Sequence, residues 1–147
     1  MPSKPLIFLG ADHAGFALKE ALKAYLMEKG HRIEDLSPLL VPGDDYPIAA
    51  QDVAHEVVKR KDALGVLVCG SGLGMDIAAN RIKGARAVVA RTITDAKLSR
   101  TDDFANILVL GGRITKPAMA KRIVHAWLAT PYSTAERHAR RVAELDR

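Results

Sequence analysis

The sequence predicts an α/β fold: a Rossmann-like, three-layer α/β/α arrangement around a five-stranded parallel sheet. Three observations predict it. Short apolar runs rich in β-branched residues alternate with segments of helical period. Glycine-bearing turns follow the first and third of those runs, Gly10-Ala11-Asp12-His13-Ala14-Gly15 and Gly70-Ser71-Gly72-Leu73-Gly74. The 147 residues suit one domain, able to bury most of the surface its unfolded chain exposes, and no linker, repeat or low-complexity tract divides them.

The elements follow in order. Leu6–Gly10 reads as the first strand, Phe16–Glu28 as an amphipathic helix ended by Gly30, and Arg32–Leu36 as the second strand. A loop containing Pro38, Pro42, Gly43 and Asp44 leads to a helix over Ile48–Arg60. Leu64–Cys69 is a continuous apolar run, the pattern of a strand covered on both faces. Helix Met75–Ile82, strand Arg86–Ala90, a shorter helix Thr94–Arg100, strand Ile107–Leu110 and helix Pro117–Ala129 continue the alternation. The tail, Thr134–Arg147, spaces Ala135, His138, Val142 and Leu145 three or four apart. A helix that short needs a surface, on its own domain or, as expected for the fold class, on a partner subunit.

Composition excludes several classes. The net charge of +5 and pI near 9.5 allow a nucleic-acid partner, but only 5% of residues are aromatic and no recognition motif is present. Arg137, Arg140, Arg141 and Arg147 crowd the end of the chain, which fits a small anionic substrate equally well. No run is long enough to cross a membrane. One cysteine forms no intrachain disulfide, and the N-terminus lacks a charged segment followed by an apolar core, so the expected compartment is the cytoplasm.

That cysteine carries the chemistry. A lone cysteine is more often a small buried hydrophobe, but Cys69 ends a central strand and precedes a glycine turn, and ligands of open α/β sheets collect at the carboxyl ends of strands. The turn does not match G-x-G-x-x-G, because Met75 replaces the last glycine, so a nicotinamide cofactor is not expected. No lysine follows for a nucleoside-triphosphate loop. A cysteine-phosphatase loop requires an arginine where Met75 stands, and without it loses its main electrostatic contribution. What remains is a cysteine base beside an oxyanion-binding turn, with Ser71 able to donate a hydrogen bond. Asp12 alone would read as a helix cap; with His13 beside it, both are expected to converge with Cys69 in one crevice.

Taken together, Gly10-Ala11-Asp12-His13-Ala14-Gly15, Asp45-Tyr46-Pro47, Cys69-Gly70-Ser71-Gly72-Leu73-Gly74 with Ile77-Ala78-Ala79-Asn80, and Arg137-His138-x-x-Arg141 resemble the type B ribose-5-phosphate isomerase and galactose-6-phosphate isomerase family over nearly the whole chain. The resemblance implies a cytoplasmic enzyme without metal or cofactor, a homodimer or homotetramer whose active sites are shared between subunits. It implies that Cys69 moves a proton between C2 and C1 of an open-chain sugar phosphate through a cis-enediolate. Ser71 stands where the family usually has threonine, and the amides from Gly70 through Gly72 to Gly74 would hold the enediolate oxygen. Asp12 and Tyr46 would contact sugar hydroxyls, and His13, Arg137 and Arg141 would bind phosphate.

One departure matters. Asp102-Asp103 occupies the place of a family His-Asn pair whose histidine opens the furanose ring. An unperturbed carboxylate is a poor acid near neutrality. Asp102 is then the expected ring-opening group and Asp103 a substrate contact, or the chain acts on a different sugar phosphate of four to six carbons. The alternatives are a subunit of a heteromeric galactose-6-phosphate-type isomerase and a catalytically silent sugar-phosphate-binding protein.

Overall fold

The computed structural model describes residues 4–147. Among these residues five strands alternate with helices: β1 Leu6–Ala11, α1 Phe16–Glu28, β2 Arg32–Asp35, α2 Tyr46–Lys59, β3 Leu64–Cys69, α3 Leu73–Asn80, β4 Ala87–Val89, α4 Ile93–Asp103, β5 Ile107–Gly111, α5 Pro117–Ala129 and α6 Glu136–Leu145. The strands form one parallel sheet in the order β2-β1-β3-β5-β4. From β1 the chain winds first to β2 on one side and later to β3 on the other. The β1/β3 junction is therefore the switch point, where helices leave toward opposite faces and a crevice opens at the strand ends.

Alternation along the strands sends side chains to two apolar layers. On one face Ile7, Leu9, Val66, Val68, Leu108 and Leu110 pack against Leu18, Leu22 and Leu26 of α1, Ala96 of α4, and Ile123 and Trp127 of α5. On the other, Phe8, Leu67, Ile107 and Val109 meet Ala50, Val53 and Val57 of α2 and Met75 and Ala79 of α3. Every residue of β3 is buried, which explains its unbroken apolar sequence.

Most boundaries shift by one or two residues from the sequence expectation, and three of the shifts have a clear physical reason. Helix α2 starts at Tyr46 because Pro47 fits the first helical turn, where its missing N–H loses nothing. Helix α3 starts at Leu73, two residues early, because Gly72 supplies a left-handed cap at φ +85°. Helix α4 continues past Arg100 to Asp103, although carboxylates at a helix C-terminus oppose its dipole. Asp102 and Asp103 thus belong to a helical turn, not a loop. Phe104 ends the helix in the left-handed region at φ 51° with its ring stacked on Tyr132 at 4.5 Å, and Ala105 N–H donates to the Ser99 carbonyl at 2.9 Å.

The C-terminal helix docks on its own chain. Val142 is buried, Asp146 pairs with Arg86 at 2.9 Å, and Ser133 N–H donates to the Thr101 carbonyl beside the end of α4. Arg137, Arg140, Arg141 and Leu145 stay exposed on the free side.

Candidate active site

Cys69 is the last residue of β3 and is 4% exposed. Its Sγ accepts a hydrogen bond from Gly72 N–H at 3.1 Å, so the turn folds back onto the sulfur. Within the expected oxyanion cradle the Gly72 amide serves the sulfur, and the Leu73 amide donates to Ser71 Oγ at 3.2 Å. The amides of Ser71, Gly74 and Met75 have no acceptor among the described residues, and the last two lie in the first turn of α3, where helical N–H groups point outward.

The neighbouring strand brings the second motif. Asp12 is buried and its Oδ1 accepts Gly15 N–H at 3.0 Å, which closes the β1–α1 turn as an Asx cap. The close approach of this turn to β3 requires glycine, since a Cβ on Gly15 would lie 2.0 Å from the Val68 carbonyl oxygen. His13 donates its backbone N–H to Asp44 Oδ1 at 2.7 Å, and its Nδ1 lies 3.1 Å from the same oxygen. Asp44 therefore orients the ring and leaves Nε2 without a partner among the described residues. Tyr46, from the start of α2, packs close to Gly74, where a Cβ would come within 2.5 Å of its ring.

These groups share a cleft of about 380 Å³ lined by Asp12, His13, Tyr46, Cys69, Ser71 and Gly74, with Gly70 on its wall. Arg113 completes it. This residue escaped sequence reasoning because no motif surrounds it; it follows β5, the strand beside β3, and the strand-end rule applied to β5 would have found it. Its backbone N–H donates to the Gly70 carbonyl at 3.0 Å, and its guanidinium crosses the place a Gly70 side chain would fill.

Behind the cleft lies a buried ion network, also invisible to sequence reasoning. Lys19 of α1 is fully buried, and its Nζ donates to Asp35 at 2.8 Å and to the Ser37 carbonyl at 2.9 Å. Ser37 Oγ in turn accepts Ala11 N–H at 3.0 Å, which fixes the residue before Asp12. Burial raises the Asp35 carboxyl, but hydrogen bonds from Lys19, Ser37 N–H and Lys23 outweigh it and hold the group below its ordinary value.

Asp102, Asp103, Arg137 and Arg141 are not in this cleft. Gly65 pairs with Ile107 and Cys69 with Gly111, so the end of α4, just before β5, lies at the amino edge of the sheet. At ~3.3 Å per residue, about 13 Å of strand alone separates that edge from Cys69. Helix α6 lies there too, tied to Arg86 ahead of β4, with His138 Nε2 at 3.7 Å from Asp102 Oδ1. The sequence motifs thus fall into two groups at opposite edges of one sheet.

A cysteine, a carboxylate, a histidine and an arginine gather around a helix-opening glycine turn at the switch point of a doubly wound sheet, where enzymes of the α/β class hold their ligands. The ribose/galactose isomerase family model matches residues 7–145, and the chain belongs to that family. It is 40% identical to the ribose-5-phosphate isomerase B of Mycolicibacterium paratuberculosis, over 96% of this chain and 91% of that one. It is also 40% identical to that of Escherichia coli, over 95% and 93%. Among solved structures, ribose 5-phosphate isomerase from Thermotoga maritima superposes with a TM-score of 0.93 at 40% identity, covering 98% of this chain and 99% of that one. Ribose-5-phosphate isomerase B from Mycoplasma genitalium with bound ribulose-5-phosphate superposes with a TM-score of 0.93 at 34% identity, covering 98% and 95%. No helix among the described residues is long and apolar enough to cross a membrane.

Proposed function

We propose that the chain interconverts the aldose and ketose forms of a small phosphorylated sugar, with Cys69 as the base. The observation that carries the proposal is the Cys69 sulfur at the mouth of a turn whose Ser71, Gly74 and Met75 amides are free. As a thiolate, Cys69 takes the C2 proton of the open-chain aldose. The C2–H electron pair becomes the C1–C2 double bond, and the carbonyl oxygen gains the charge. Free amides aimed at that oxygen bind it more strongly as charge develops, which lowers the barrier. The thiol then returns its proton to C1 while the O2 proton passes to O1, with the Ser71 hydroxyl as a relay. Asp12 and Tyr46 hold sugar hydroxyls, and His13 and Arg113 hold the phosphate, where a guanidinium fork suits the oxygens.

A second copy supplies the rest. Beside the cleft, Tyr46, Ile48, Leu73 and Ile77 are 41–66% exposed, an apolar surface that a like subunit covers. From that subunit the amino-edge half-site, Arg137 and Arg141 for phosphate and Asp102 and Asp103 for the sugar, reaches the cleft in a homodimer or a pair of homodimers. The ribulose-5-phosphate bound by the Mycoplasma relative supports a pentose phosphate substrate. The Asp102-Asp103 pair favours a second reading, a substrate that needs no ring opening or a heteromeric partner that supplies the missing histidine. An unpaired reduced cysteine suits a reducing cytoplasm.

Isomerisation in deuterium oxide tests the central step. Deuterium should enter at C1 or C2 of ribose 5-phosphate or a tetrose phosphate, and Cys69→Ala should lower that exchange by ~10²–10⁴-fold while sugar-phosphate binding persists. Exchange retained by Cys69→Ala would remove the thiol from the mechanism.

A further inference from the structure

A groove larger than the cleft lies elsewhere. On the α1–α4–α5 face, away from every cleft residue, a groove of about 880 Å³ is lined by Lys29, Lys97, Lys121, Arg122 and His125. Its apolar surface comes from Tyr25, Ile93, Ala126 and Ala129. A second lobe of about 250 Å³ shares Tyr25, Lys29, His125 and Ala129 with it and adds Lys4 and His31. No aspartate or glutamate lines either lobe. The chain carries 22 Lys and Arg against 17 Asp and Glu, and five of those cations gather here unbalanced. The concentration of charge in the last stretch is thus matched by another that the sequence scatters over four segments and the fold collects.

Like charges brought together cost free energy unless something neutralises them, and most of these side chains have no acid in reach. Among them only Lys4 makes a hydrogen bond, to the Lys29 carbonyl. His31 has a buried Nδ1 with no partner, an atom that native structures rarely leave unsatisfied. Burial first, and then the nearby Lys4 and His125, hold His31 below its ordinary proton affinity.

We propose that this groove is a second binding site, for a small organic polyanion of nucleoside-polyphosphate type. The volume lies within the range of small-molecule pockets, ~300–1,000 Å³. Lys97 of α4 and Lys121 and Arg122 of α5 flank the groove and together balance several phosphate charges. The Tyr25 ring and the flat alanine surface of α5 take an apolar, planar body. A single phosphate would leave both the excess cations and the apolar surface unused, which separates this ligand from the sugar phosphate of the catalytic cleft. A concave, single groove on a chain with so few aromatic residues does not fit an extended strand of nucleic acid.

Calorimetric titration of the whole protein with ATP at about 0.15 M salt, where the Debye length is ~8 Å, tests the proposal. ATP should saturate one site per chain and bind at least tenfold tighter than inorganic tripolyphosphate. The double variant Lys97→Gln, Lys121→Gln should lose at least tenfold in ATP affinity while its ribose 5-phosphate turnover stays at the wild-type level. Arg122→Gln alone, with thermal unfolding as a fold control, gives an independent reading of the same loss. Ribose 5-phosphate should not displace ATP, and Arg113→Ala should leave ATP binding unchanged. Absence of saturable binding, equal affinity in the variants, or displacement by ribose 5-phosphate would each overturn the site. Tripolyphosphate binding as tightly as ATP would overturn the nucleoside assignment, and affinity that grows with the length of an oligonucleotide would transfer the groove to nucleic acid.

Discussion

Cys69, Asp12 and His13 could be placed together from the sequence because each sits at or beside a carboxyl strand end, so local pattern and tertiary position agree. Asp44 and Lys19 could not, because their roles depend on which segments become neighbours, and Arg113 carried only the weaker signal of following the apolar run of β5. Lys19 shows the cost of such placement. Asp35→Asn would leave its ammonium buried without its main counter-charge, and a loss of roughly 3 kcal/mol at neutral pH is expected. The pH dependence follows from the depressed Asp35 carboxyl. Its stabilisation is complete above the ordinary value of 3.8 and fades as pH falls through the lower folded value. Urea unfolding of wild type and Asp35→Asn should therefore show a gap that is constant at neutral pH and narrows below about pH 4. Gly15 gives a second test at this scale. A methyl group 2.0 Å from the Val68 oxygen forces the Asp12 turn off β3, so Gly15→Ala should destabilise by ~1–3 kcal/mol and lower turnover with it.

The strands and the first five helices followed from apolar period and glycine position, whereas the end of α4 did not. Helix-stop rules place cations in the last turn, and Ser-Arg before Thr-Asp-Asp reads as a stop; the contacts of Phe104 with Tyr132 override it. That turn also carries Asp102-Asp103, where the family resemblance implies a His-Asn pair. A substrate held as a closed ring needs a group to open it, whereas a tetrose phosphate esterified at its terminal oxygen forms no furanose. Wild-type protein should turn over ribose 5-phosphate poorly relative to a tetrose phosphate, and Asp102→His with Asp103→Asn should raise ribose 5-phosphate turnover selectively. Coupled assays on both substrates decide it. Efficient wild-type isomerisation of ribose 5-phosphate that Asp102→Asn abolishes would assign ring opening to the carboxylate. The double change also removes two negative charges from a helix C-terminus, so α4 should gain ~0.3–1 kcal/mol in thermal unfolding.

The chain as a whole carries a cleft at the carboxyl edge of its sheet and an arginine helix at the amino edge. No local pattern encodes that separation; it follows from β5 running parallel to β3, so that whatever precedes β5 lies at the far end from Cys69. If copies exchange these edges, two defects should repair each other. Cys69→Ala and Arg137→Ala, each inactive alone, should after mixing and subunit exchange recover about a quarter of wild-type activity, since half the pairs are mixed and each has one intact site. No recovery in verified mixed particles would place both residues in a self-contained subunit.

Were one copy's amino edge to serve another's cleft, the way copies meet would be constrained. Stacked head to tail, such copies would grow into an open fibre with an unfilled cleft at one end and an idle helix at the other. A two-fold axis removes both loose ends at once, because each copy gives and receives in the same contact. In the proposed pair the apolar surface of Tyr46, Ile48, Leu73 and Ile77 would lie on that axis, and such a particle would close at even numbers.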